Sequence, residues 1–449
     1  MKKIFLSFLL GMGMLSWTGC QEESAEQQMK NVTDAPADFA QVKNGELILK
    51  GKPFRFSATN SYRLLESWVD VDRYFKTLKD LKINVVRMWG FANAEAPQSR
   101  QNILIYNPQP GVWPPRLEYP EDTWKRFDYV LKKAKDHGIY IILPLANYWD
   151  EFGSIAMLNG WAGLPPEVER HKDREIFYTH PRAREVYTMI VSKTLNRVNH
   201  LTGVAYKNDP TILFWEPMNE PRGRSDVSGK KTADWIDWAA GLIKKLDTNH
   251  LVGSGTEGFF AEYRPSPGLA PSYSFMQYPF QSKKPNRVER LNPENSQKET
   301  ATTLPEGIYF EQECALPNID LCSIHAWPYN WFSDGTPAGI KAFGKYWVLA
   351  HIDEMKRRGI SKPLYIGEFG RQIVRRDAQG MMVRNSFVEG IYEAALNGSV
   401  AGAGLWYVSH TGAESWDRLA FDILCDPSIT YDSTCSLIKD FGTKIHAAP

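Results

Sequence analysis

The sequence predicts a single (β/α)8 barrel over residues 42–449, with long loops on its C-terminal face. Three observations predict it. From Val42 onward, short apolar runs alternate with amphipathic stretches, as in a chain of βαβ units. The runs are nearly continuous in apolar residues, which suits strands buried on both faces. Eight such runs can be counted, enough for a parallel sheet to close on itself.

Each element has a local reason. Residues 46–49 and 54–58 flank Lys50-Gly51-Lys52-Pro53, a hairpin turn, and 54–60 serves as the first barrel strand. Amphipathic helices at 71–81, 123–136, 182–201 and 233–246 lead into strands at 84–89, 140–145, 212–216 and 251–255. Strands at 321–325, 364–368 and 402–407 complete the ring, the last two preceded by helices at 340–357 and 386–396. The barrel is longer than the roughly 250 residues usual for this fold. The surplus lies in the connections 91–121, 146–180 and 261–318, which all follow a strand and so sit on the C-terminal face. The polar, irregular 261–318 stretch reads as a lid or small subdomain, with a separate domain as the alternative.

Composition removes several classes of function. Lys plus Arg is 53 against 52 Asp plus Glu, so the chain is nearly neutral and has no electrostatic footprint for nucleic acid. With 43% hydrophobic and 23% charged residues, wholesale disorder is excluded. Aromatic residues make up 13%, including 15 Trp, more than core packing alone requires if some of them fall on loops.

The N-terminus reads as a targeting segment. Lys2 and Lys3 precede an apolar run at 4–15, right for a secretory signal and too short to span a bilayer. Ser16-Trp17-Thr18-Gly19-Cys20 then resembles a bacterial lipoprotein cleavage site, with Trp17 where Leu is usual. The expectation is a signal peptide over 1–19, lipidation of Cys20 and a polar tether over 20–41; an ordinary signal peptide with an incidental Cys is the alternative. The protein is then lipid-anchored in the cell envelope, facing the periplasm or the exterior, or secreted. Membrane contact runs only through the anchor. Export also permits disulfides. The short spans favour Cys314 with Cys322 and Cys425 with Cys435, against free buried thiols. No metal-ligand spacing occurs among the nine His, no metal or cofactor is implied, and a monomer is expected.

The strand ends carry the chemistry. Strand four runs into Trp215-Glu216-Pro217-Met218-Asn219-Glu220-Pro221-Arg222, and strand seven into Gly367-Glu368-Phe369-Gly370. A carboxylate at the end of a buried strand is costly unless it is paired or used. On the fourth and seventh strands of a closed barrel, Glu220 and Glu368 face each other across the mouth. Two carboxyls flanking a pocket are what glycoside hydrolysis requires. Asn219 can hold a sugar hydroxyl beside the acid; the alternative is a turn-capping Asn. Arg87, inside strand two, needs a buried carboxylate, and Glu368 is a candidate that the pairing would keep ionised. Trp406 can stack under a sugar ring or pack in the core. His325 can tune the acid or be a core histidine bonded to backbone.

With these residues quoted, the chain resembles glycoside hydrolase family 5, and within it the β-mannanase branch. The resemblance covers residues 54–407. It rests on Asn147-Tyr148-Trp149-Asp150-Glu151-Phe152-Gly153 and on Val198-Asn199-His200-Leu201-Thr202-Gly203-Val204-Ala205-Tyr206-Lys207-Asn208-Asp209-Pro210-Thr211-Ile212, which leads into the Glu220 segment, with Glu368 and Trp406 at matching places. It implies a retaining double displacement on β-mannan polysaccharide or oligosaccharide, with Glu220 as acid/base and Glu368 as nucleophile. Arg87, Asn219, His325 and Trp406 match the supporting residues, and Trp149 and Phe260 are weaker candidates for sugar contact. The family usually has His-x-Tyr on strand six, its hydroxyl reaching the nucleophile. Trp327 stands there in this chain, and an indole N–H can donate but not accept, so that contact is replaced or lost. An exo-β-mannosidase, a β-1,4-glucanase on the same barrel, and a non-catalytic glycan-binding lipoprotein are the competing readings.

Overall fold

A computed structural model describes residues 38–448 apart from 95–102, 107–111, 166–172, 270–279, 281, 284–286, 292–297, 303–304, 329–335, 374–376, 399, 410–420 and 427–429. The expected signal peptide and Cys20 lie outside the described residues. Within the stretch expected as a tether, Phe39 and Ala40 are buried, and Gln41 pairs with Ile48.

Eight parallel strands form the barrel: β1 (Phe56–Ser61), β2 (Val85–Met88), β3 (Tyr140–Pro144), β4 (Ile212–Glu216), β5 (Leu251–Val252), β6 (Cys322–Ala326), β7 (Leu364–Phe369) and β8 (Gly402–Leu405). Each pairs with its neighbour in sequence, and β8 returns to β1. The ring closes between β5 and β6 through the parallel bridge Gly253–Leu321 and the bond from Asp320 N–H to Val252 O, 2.8 Å. The first strand begins at Phe56 rather than 54, because Phe54 still bonds the hairpin through Leu47 O. The fifth is shorter than expected, since beyond Val252 the chain turns at Gly255 with φ of +70°.

Two apolar cores follow from strand alternation. Val85 and Ile142 point inward, where they meet Phe56, Phe214, Leu251, Leu321 and Tyr365. Leu47 and Leu49 of the N-terminal hairpin plug the lower end of that interior. Val86, Met88, Ile141 and Leu143 point outward and join the larger core under the helices. Inward alternation places Arg87 two positions above Val85, so a cation stands inside the upper barrel.

The described helices include α1 (Val71–Asp80), α2 (Glu121–His137), α3 (Pro181–Leu195), α4 (Lys230–Leu246), the single turn α5 (Phe310–Glu313), α6 (Pro337–Arg358), α7 (Ala378–Asn397) and α8 (Thr434–Ala447), along with a two-turn helix at Ile155–Trp161. Their ends carry the expected punctuation. Gly138 closes α2 in the left-handed region, and Thr336 and Asp377 cap α6 and α7 through their side chains. Helix α3 stops at Leu195 instead of running to 201, because Val198 turns to pair with Ala205. The described parts of 261–318 pack into the same outer core: Tyr263, Phe280 and Phe310 gather with Tyr346, Trp347 and His351. Disulfides join Cys314 to Cys322 and Cys425 to Cys435.

Candidate active site

Arg87 organises the mouth of the barrel. Its Nε and Nη2 hold Glu216 at 3.0 and 2.7 Å, while Nη1 donates to Glu368 Oε1 at 2.6 Å. The same guanidinium also reaches Asn60 Oδ1 and Asn219 Oδ1. Arg87 is fully buried, and burial would lower its pKa, but Glu216 and Glu368 outweigh that and keep it charged. One cation thus serves two carboxylates. Glu216, which also accepts from Tyr365 Oη at 2.7 Å, was not singled out in the sequence. Its signal was visible all the same: it is a charge ending an otherwise apolar strand.

Glu220 leaves β4 by a different route. Its φ is +49°, a left-handed conformation that costs a non-glycine residue roughly 1–3 kcal/mol. The surroundings hold it there. Its N–H donates to Gly255 O at 2.9 Å, and the preceding Asn219 is pinned by Ala146 O at 2.8 Å. The side-chain amide of Asn219 spans Arg87 on one side and Asn147 Oδ1, 3.1 Å away, on the other.

The Glu220 carboxyl is surrounded by N–H groups. Trp149 Nε1 lies 2.6 Å from Oε2, His325 Nδ1 lies 2.6 Å from Oε1, and Trp327 Nε1 lies 3.3 Å from the same oxygen. Trp149 is itself held by Arg222, whose guanidinium sits 4.9 Å over its ring. Arg222 in turn is gripped by Glu257 through two bonds of 2.7 Å and by Glu306 at 2.6 Å. The parallel register of β6 and β7 sets His325 beside Glu368, with Nδ1 3.6 Å from Oε2.

The donor atoms of Glu220, His325 and Glu368 all lie within 4.8 Å of one another. Among the described residues this is the group whose geometry could grip a metal ion. Arg87 and the Trp149 indole already claim oxygens of both carboxyls, which suits charge stabilisation better than cation binding.

Two carboxyls this close cannot ionise independently. Burial would raise Glu220, but the hydrogen bond and charge of His325, with Arg222 and Trp149, hold it down to about 2. Burial raises Glu368 to about 7, helped by the Glu220 and Glu216 charges and opposed by His325 and Arg87. Between those values the pair keeps one proton and one negative charge. As acid/base, Glu220 is expected to carry the proton, and Glu368, as nucleophile, the charge. The donors around Glu220 favour the reverse.

The structure brings Glu220, Glu368, Arg87, Asn219, His325, Trp149, Trp327 and Trp406 into one cluster. Trp406 follows β8, stacks on Tyr62 at 5.6 Å and meets Trp327 edge-on at 5.7 Å. One expectation needs correction. Phe260 is not at the mouth: it is buried among Tyr263, Phe280, Phe310 and Trp347, where burial of its ring outweighs any use in sugar contact. Trp327 replaces the family's tyrosine contact as its chemistry implied: its N–H points to Glu220, and its ring is held edge-on by Trp406 and Phe421.

Comparison with known proteins agrees with this geometry. Residues 37–266 match the family model described as GH family 5 beta-mannosidase-like. Mannan endo-1,4-beta-mannosidase 1 of Solanum lycopersicum is 29% identical over 91% of this chain and 92% of its own length. Putative mannan endo-1,4-beta-mannosidase 4 of Arabidopsis thaliana is 31% identical over 93% and 94%. Among solved structures, the endo-beta-1,4-mannanase from Thermotoga petrophila superposes with a TM-score of 0.70 at 26% identity, covering 88% of this chain and 78% of that one.

Proposed function

The chain belongs to glycoside hydrolase family 5, and from that membership we propose that it is an endo-acting hydrolase of β-1,4-linked mannans that retains anomeric configuration. One observation carries the mechanism: an oxygen of Glu220 and an oxygen of Glu368 lie within 4.8 Å inside one buried mouth. Retaining enzymes hold their carboxyls about 5–5.5 Å apart, whereas inverting ones need about 6.5–9.5 Å to seat a water.

Glu368 attacks the anomeric carbon while Glu220 gives its proton to the departing glycosidic oxygen. The sugar becomes an ester of Glu368. Glu220, now ionised, takes a proton from water, whose oxygen attacks the same carbon and frees Glu368. The proton must stand on Glu220 when substrate is bound. His325 Nδ1 lies 2.6 Å from Glu220 Oε1 and 3.6 Å from Glu368 Oε2, so both carboxyls feel the same ring. Arg87 stabilises the charge left on Glu368. The indole N–H groups of Trp149 and Trp327 stabilise Glu220 once it has lost its proton, which favours the proton transfer of the first step.

The test is kinetic. Glu368→Ala abolishes release of reducing ends from mannan, and undiminished turnover in that variant ends the assignment. Glu220→Gln loses activity on mannan yet still forms the ester with aryl mannosides that carry good leaving groups. Mannohexaose digested by the parent protein yields a ladder of short oligomers; mannose alone would mean exo-action.

The N-terminal segment supports a lipid anchor on Cys20, so that the barrel works at the cell envelope. Replacing Cys20 with Ser then releases the protein from the membrane fraction. Co-sedimentation of that variant with membranes counts against the anchor.

A further inference from the structure

Resting on the retaining-hydrolase reading, we propose that Glu216 is a positioning residue for the nucleophile: it remains the counterion of Arg87 when Glu368 gives up its charge to the sugar ester. The geometry divides Arg87 unequally. Nε and Nη2 both face Glu216 Oε2, at 3.0 and 2.7 Å, while Nη1 reaches Glu368. The other Glu216 oxygen accepts from Tyr365 Oη at 2.7 Å and lies 3.1 Å from Arg87 Nε. Both oxygens of this fully buried group thus face donors, as a carboxylate requires. Burial, reinforced by the Glu216 charge, holds the Tyr365 hydroxyl well above its ordinary pKa, so it stays a donor.

The charge balance shows what a second carboxylate does. Before attack, Arg87 stands between Glu216 and Glu368. In the first step an oxygen of Glu368 bonds the anomeric carbon as the glycosidic C–O bond breaks, and the leaving oxygen takes the proton of Glu220. Glu368 is then a neutral ester. Were Glu368 its only partner, the buried Arg87 would at that moment become an unpaired cation, a strongly unfavourable state. Glu216 leaves a neutral pair behind, so the ester forms without stranding a charge. It also occupies two of the three guanidinium nitrogens, which keeps Arg87 from over-stabilising Glu368 before attack. Burial works against the charge on Arg87, and of the two carboxylates Glu216 opposes that more than Glu368 does. Fully buried, Glu216 acts through Arg87 and not on the sugar.

The experiment separates the two chemical steps with a 2-deoxy-2-fluoro-β-mannotriosyl fluoride, which forms the ester and releases it slowly. Glu216→Gln is expected to slow ester formation by about a hundredfold or more and to leave ester hydrolysis within about threefold; Glu216→Asp, which keeps the charge, regains about tenfold or more of the loss. Equal slowing of both steps, or equal losses in the Asp and Gln variants, overturns the proposal. Thermal unfolding of the sugar-free proteins tests the same pairing without activity. Glu368→Gln, which removes the charge as the ester does, moves the midpoint by no more than about 2 °C, because Arg87 keeps Glu216. Glu216→Gln lowers it by about 5 °C or more, or prevents folding. Equal shifts in these two variants overturn the proposal. A parent protein whose mass shows no ester defeats the retaining-hydrolase reading, and unfolding still decides whether Glu216 is the standing partner of Arg87.

Discussion

The Trp327 indole N–H points at Glu220 Oε1, 3.3 Å away, the same oxygen that His325 Nδ1 meets at 2.6 Å. A donor that cannot accept favours the ionised form of the carboxyl it faces. Trp327→Phe removes that donor while keeping an aromatic ring against Trp406 and Phe421. The acid limb of the kcat/KM profile is expected to move up by as much as about one pH unit, the worth of one modest hydrogen bond. An unmoved acid limb would mean that Trp327 only packs.

The pH profile of the parent protein follows from the carboxyl pair. Catalysis needs one proton and one charge on it. The last proton leaves as pH rises through the Glu368 value of about 7, and a second proton is gained only as pH falls toward the Glu220 value of about 2. Activity should therefore be high in mild acid and fall about tenfold per pH unit well above 7. Initial rates between pH 3 and 9 check it, and a profile still rising at pH 9 contradicts it.

Gly367 is a glycine because His325 stands over it. A methyl group there would lie 2.8 Å from His325 Nε2 and 3.1 Å from Cδ2. His325 is fully buried, so it can yield only by leaving Glu220. Gly367→Ala is expected to lower kcat/KM by about a hundredfold or more, the cost of a misplaced catalytic group, with the circular dichroism spectrum unchanged. Full activity would show that His325 has room to move.

Asp128 governs stability, not chemistry. Buried in α2, it accepts from Arg197 Nη2 at 2.6 Å, Tyr206 Oη at 2.6 Å and His200 Nδ1 at 2.7 Å. Burial would raise its pKa, but Arg197, Tyr206 and His200 hold it below the usual carboxylate range. A depressed acid lends stability above its unfolded pKa and loses it as pH falls. Asp128→Asn should cost about 3–5 kcal/mol in denaturant unfolding at pH 7 and flatten the loss in acid, leaving kcat intact at low temperature.

The sequence by itself determined the barrel, because strands buried on two faces leave near-continuous apolar runs that no surface element imitates. It also pointed to Glu220 and Glu368, since a Glu at the end of such a run is expensive without a use, but it passed over Glu216. The motif around Asn199 and Tyr206 is equally legible as a resemblance, yet its side chains bond Asp128 of α2 and not the carboxyl pair. Only the tertiary structure decided which atoms meet. Arg87 shares itself between Glu216 and Glu368, Trp327 turns to Glu220, and Phe260 sinks into the core, because register, strand alternation and ring packing fix those choices. A hydrogen bond is settled within a few tenths of an ångström, and the order of residues along a chain carries no distance of that fineness.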